Sequence, residues 1–136
     1  MNDIKRKLMQ HMKMERVESE FDCYRIGFRR YVLFYDELIT KENQQQLLHT
    51  MDRTCNPPAF SDDPKSIIVI AKTNEEFQEQ ELAFINDVYT LFTFFLIDEG
   101  NDKMYYFDRW IFMQIINSRR RIRRIRDILR SERKEK

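Results

Sequence analysis

Ser66-Ile67-Ile68-Val69-Ile70-Ala71 is the stretch that decides the fold. It is apolar and β-branched, and it follows the turn chemistry of Ser61-Asp62-Asp63-Pro64. That pattern predicts a strand. Its apolar residues are continuous rather than alternating, which predicts a strand covered on both faces.

Working outward, Thr73-Asn74-Glu75-Glu76 has the form of a capping box, with a helix predicted to about Asn86. Upstream, Cys55-Asn56-Pro57-Pro58 forbids continuation of a helix, so 54–65 reads as a loop. Good helix formers precede it and predict a helix over 37–53. Residues 21–36 are rich in aromatic and branched side chains. Tyr24, Ile26 and Phe28 alternate as on a strand, with Gly27 marking a bulge or turn, whereas Phe28, Tyr31, Tyr35 and Leu38 follow helical spacing. Both readings stand. Residues 3–18 read as a helix capped by Asp3.

Downstream, 88–97 is β-branched and aromatic, Asp98-Glu99-Gly100-Asn101-Asp102 is a turn, and Met104-Tyr105-Tyr106-Phe107 returns as a second strand. A β-hairpin near 88–108 follows. A long helix is predicted from about Asp108 to Arg133. The expected fold is α+β: a single small domain with a short, mostly antiparallel sheet packed by helices and a long C-terminal basic amphipathic helix. If 21–36 and 88–97 are helical, the protein is nearly all-α. The division is a body of 1–117 and a basic helical extension of 118–136, continuous with the last helix of the body.

At 136 residues one domain is expected. Gly27 and Gly100 are the only glycines, too few for a Gly-rich phosphate loop. No apolar leader follows Met1, and the longest apolar run, Leu91–Ile97, is too short to span a bilayer. With Cys23 and Cys55 as isolated thiols, the expected location is cytoplasmic.

Charge is the main functional signal. The net charge is only +1, but residues 1–17 carry five Lys/Arg against two Asp/Glu, and 118–136 carry ten against three. The segment between is strongly acidic. An acidic body with a basic tail suggests an interacting tail, or a tail that simply covers its own body.

Ile115, Ile122, Ile125 and Leu129 fall at helical spacing in that tail, and Arg119, Arg120, Arg121, Arg123, Arg124, Arg126 and Arg130 surround them. One face of such a helix is built for burial. The apolar stripe predicts docking into a partner groove or a second copy, with the arginines steering the encounter. Arginine forks pair equally well with carboxylate and phosphate, so a nucleic acid is the alternative partner. Trp110, Ile111 and Phe112 before the arginines also allow an interfacial membrane helix, though they are more simply core.

Catalytic readings are thinner. Asp98, Glu99 and Asp102, and separately Asp62 and Asp63, would have to converge on a cation for a metal-dependent hydrolase. Loop aspartates are ordinary turn formers. His11 and His49 have no partner at zinc-site spacing, and neither cysteine shows a nucleophile's context. The aromatic strands offer a base-stacking surface only if exposed, and core packing explains them better. The expectation is a non-catalytic interaction module, an accessory or regulatory subunit, without metal or cofactor.

Overall fold

In a computed structural model of the protein, which describes residues 2–27, 30–55, 66–77, 91–108 and 119–134, the decisive strand lies at the centre of a six-stranded sheet. Chain order gives α1 (Asn2–His11), β1 (Glu15–Arg16), β2 (Asp22–Gly27), β3 (Arg30–Leu38), α2 (Gln44–Cys55), β4 (Ser66–Lys72), β5 (Leu91–Asp98), β6 (Lys103–Asp108) and α3 (Arg119–Lys134). The strands lie side by side in sequence order.

The α+β class fits, but the expected sheet does not. β1, β2 and β3 pair antiparallel, β3, β4 and β5 pair parallel, and β6 closes the far edge antiparallel. The sheet is therefore mixed, with a parallel centre, rather than short and mostly antiparallel. The physical reason lies in the connections. Those from β3 to β4 and from β4 to β5 exceed the dozen or so residues that a parallel crossover needs, and α2 occupies the first.

The long C-terminal helix is corrected as well. Asp108, its expected start, belongs to β6, and the helix described is the 16 residues of α3. Asp22–Gly27 and Arg30–Leu38 form strands, so the nearly all-α alternative does not hold. Gly27 sits where the β2–β3 register shifts, the bulge that the sequence allowed. The helix expected over 3–18 stops at His11, because Glu15 and Arg16 pair with Arg25 and Tyr24 instead. The helix expected from residue 37 begins at Gln44, since Glu37 and Leu38 extend β3. Thr73 makes no capping box with Glu76. Its hydroxyl donates to the Ile39 carbonyl at 2.7 Å and accepts from the Glu75 amide at 3.2 Å. The helix expected to Asn86 falls mostly outside the described residues, as do Val88 to Thr90.

Two cores sandwich the sheet. Ile67 to Ala71 are fully buried, as a strand covered on both faces must be. Their alternation sends Ile67, Val69 and Ala71 to one side, with Leu33, Phe94 and Leu96 from neighbouring strands and Leu48 and Met51 from α2. Ile68 and Ile70 face the other side, with Val32, Phe34, Phe95 and Ile97. There they meet Ile4 and Leu8 of α1 and Ile125, Ile128 and Leu129 of α3. α1 and α3 thus form one helical layer over this face, and α2 covers the opposite face.

Candidate functional site

That α1–α3 layer carries the basic residues to which the sequence pointed. α3 is RRRIRRIRDILRSERK, nine Lys/Arg against two acids, and α1 adds Lys5, Arg6 and Lys7 against Asp3. Burial divides α3 by angle. Ile125, Ile128 and Leu129 sit at i, i+3 and i+4 and face the sheet. Arg123 and Arg130 lie on the opposite side and are exposed, with Asp127 between them.

The flanks of α3 are fixed by two contacts. The Arg124 Nη1 donates to the His11 carbonyl at 3.4 Å, which joins α3 to the C-terminal end of α1. On the other flank the Arg126 guanidinium stands 4.6 Å from the Tyr106 ring centroid on β6. Tyr106 itself packs against Phe95, with centroids 5.1 Å apart. α3 is held broadside on the sheet, its outer side turned to solvent.

The expected site residues therefore separate. Ile125 and Leu129 belong to the chain's own core, together with Ile128, which the proposed stripe omitted. Its signal was present, since 125, 128 and 129 share one face. Arg123, Arg124 and Arg130 are exposed, and Arg126 is half-buried beneath the helix flank. Arg119, Arg120, Arg121 and Ile122 open the described stretch of α3. Ile115 lies outside the described residues. α3 is part of the fold's second core rather than an appendage to the body.

Self-neutralisation was the other expectation for the tail. Among the described residues, Arg123, Arg124, Arg126 and Arg130 form no ion pair. Acids at the far end of the sheet have other partners. Glu99 meets Lys72 at 3.0 Å, Glu75 accepts from the Lys41 amide at 2.7 Å, and Asp98 accepts from the Asn101 amide and side chain. On α1, Arg6 pairs with Asp3 at 3.0 Å, both largely exposed. Such a pair contributes little to stability and yields readily to another anion.

A concavity of about 790 Å³ lies at the carboxyl end of β3, between α2 and the start of β2. Lys5 and Asp22 sit in its wall and bond at 2.7 Å. That contact holds the Lys5 pKa above its ordinary value, with burial opposing it. Burial lifts the Tyr24 and Tyr35 hydroxyls, and Tyr35 donates to Glu37 at 3.0 Å. Within the wall Asp22 answers Lys5, and Arg16 stands 3.9 Å from the same carboxylate.

The acids considered for hydrolysis do not assemble. Asp98 is buried in its turn contacts, and Asp102 is exposed with a φ of 51°. Asp62 and Asp63 lie outside the described residues. Among the described residues no group of three or more His, Cys, Asp or Glu is placed to hold a metal ion, and no helix is long and apolar enough to cross a membrane. No known protein family matches this chain, and no curated protein or solved structure is significantly similar to it.

Proposed function

We propose that the protein is a non-catalytic interaction module that binds nucleic acid, gripping phosphates with the outer face of α3. The observation that carries this reading is the partition of that helix. Its apolar side is buried in the chain's own core, and Arg123, Arg124 and Arg130 stand exposed without carboxylate partners among the described residues.

The alternative is docking to a protein through the same helix. Stable protein interfaces centre on buried aromatic and aliphatic anchors. Ile125 and Leu129, the anchors expected for that role, face the sheet. What the helix offers outward is cationic and polar, a surface suited to a polyanion. Arginine forks match phosphate oxygens, and each phosphate neutralised releases counterions, so affinity rises from charge alone.

Fluorescence anisotropy of labelled DNA and RNA at low salt tests the reading. Binding is expected near ~50 mM salt, with a fall of roughly a hundredfold or more by ~200 mM. The variant Arg123→Ala/Arg130→Ala is expected to lose most of the low-salt affinity while keeping its thermal midpoint. Absence of binding to every nucleic acid tried, or full affinity in the double variant, would overturn it.

A further inference from the structure

We infer that the concavity at the carboxyl end of β3 binds a small aliphatic polyamine, a methylene chain carrying two or more ammonium groups. Among the described residues none of α3 lines this hollow, and what binds there is independent of the nucleic-acid reading.

Its size and course set the first limits. The volume, about 790 Å³, falls within the ~300–1,000 Å³ usual for small-ligand sites. Lys5 of α1 lines it, and so do Gln46, Leu47 and Thr50 of α2. α1 and α2 cover opposite faces of the sheet. The hollow therefore runs across the end of β3 from one helical layer to the other, and an occupant that follows it is long rather than round.

Charge decides the sign of the occupant. The carboxylates of Glu20, Asp22, Asp36 and Glu37 line the concavity against two cations, Lys5 and Arg16. Both cations turn to the same acid. Lys5 bonds Asp22 at 2.7 Å, and Arg16 stands 3.9 Å from it. Arg16 also donates to the carbonyls of Phe21 and Cys23, each at 3.2 Å. Glu20, Asp36 and Glu37 remain, all exposed, and none forms an ion pair among the described residues. The Tyr35 hydroxyl donates to Glu37 at 3.0 Å and leaves its charge in place. Fixed negative charges along one hollow favour a cation.

The spread of those charges decides its form. Among the described residues no three acids gather closely enough to hold a metal ion. A point cation would answer these carboxylates one at a time, whereas ammonium groups spaced along a chain meet them together. Between the charges the hollow is lined by Phe21, Tyr35 and Leu47, half-buried and packed against the core. Methylenes gain by covering such a surface, and an ammonium is drawn to an aromatic face. Alternating charge and hydrocarbon is the pattern of a polyamine.

Calorimetric titration of spermidine into the full chain, free of nucleic acid and at low salt, tests this. One saturable site is expected, about tenfold or more tighter for spermidine than for butylamine or Mg²⁺, and weakening as added salt screens the charges. Asp36→Asn/Glu37→Gln is expected to weaken spermidine binding about fivefold or more with an unchanged thermal midpoint, and Glu20→Gln to weaken it independently. Amide shifts on adding spermidine are expected at Phe21, Tyr35 and Gln46 and not at Arg123 or Arg130. No saturable binding, Mg²⁺ bound as tightly as spermidine, or full affinity in both variants overturns the inference. Tri-lysine bound more tightly than spermidine also overturns it, in favour of a basic segment of a protein. Each of these outcomes leaves the α3 reading to the nucleic-acid titrations.

Discussion

The Arg126 guanidinium lies over the Tyr106 ring at 4.6 Å and fixes how α3 is rotated on the sheet. With Arg126 held on that flank, Arg123 and Arg130 face outward. Contacts of this kind contribute ~0.5–1 kcal/mol at partly exposed sites. Arg126→Ala is therefore expected to lower stability by about that amount in urea denaturation. Its loss of DNA affinity should be smaller than that of Arg123→Ala, because its charge is already engaged. A larger affinity loss in Arg126→Ala would show that the outward face has been assigned wrongly.

The two sides of α3 should separate in mutagenesis. Leu129 and Ile125 are fully buried, so Leu129→Ala is expected to cost ~2–5 kcal/mol, the range for truncating a core side chain. Arg123→Ala, exposed, should stay within ~0.5 kcal/mol of the parent. Denaturation curves of the two variants check this. Similar stabilities would mean that α3 does not belong to the core.

Alkaline pH should weaken the fold. Hydrogen bonding to Asp22 raises the Lys5 pKa above 10.5, and burial raises those of Tyr24 and Tyr35 above 10.0. Each group holds its proton more tightly folded than unfolded. Their stabilising contribution is thus complete below pH ~10 and is lost as pH rises through the folded values. Denaturation midpoints are expected to be level from pH ~7 to ~9.5 and to fall by pH ~11. Lys5→Met should show a shallower fall, and a flat profile across that range would contradict the assignment.

Gln44 begins α2 with its Oε1 buried and without a hydrogen-bond partner among the described residues. A buried acceptor left unpaired costs ~1–3 kcal/mol, and an apolar group of similar shape escapes that cost. Gln44→Met is therefore expected to stabilise the protein by ~1 kcal/mol in thermal or urea denaturation. A loss of more than ~1 kcal/mol would show that the amide makes contacts essential to the fold.

Legibility in the sequence followed the range of the forces involved. β4 was plain because Ile67 to Ala71 is an uninterrupted apolar run, and the β5–β6 hairpin was plain because Asp98 to Asp102 is local turn chemistry. The direction of β3, β4 and β5 was hidden, since parallel pairing joins residues as distant as Leu33 and Val69 through crossovers. Glu37 and Leu38 have helix-forming character, yet Leu38 pairs with Lys72 and Thr73 ties the next residue, Ile39, to β4. Tertiary contacts overrode local preference there.

The candidate site was half legible for a similar reason. Helical spacing showed that Ile125 and Leu129 would be buried, but spacing is silent on whether the covering surface belongs to a partner or to the same chain. That surface is assembled from Ile68, Ile70, Phe95 and Ile97, strand residues whose shared face appears only once register is known. The contact of α1 with α3 was equally hidden, because nothing local places His11 beside Arg124.

The most direct test of the central claim is a map of amide chemical shifts, recorded as a short DNA duplex is added to the labelled full chain. The account predicts that perturbations concentrate at Arg123, Arg124 and Arg130 and their neighbours, while α2 and the end of β3 remain unmoved. A footprint centred on Tyr35, Glu37 and Gln46, or one spread evenly over the molecule, would contradict it.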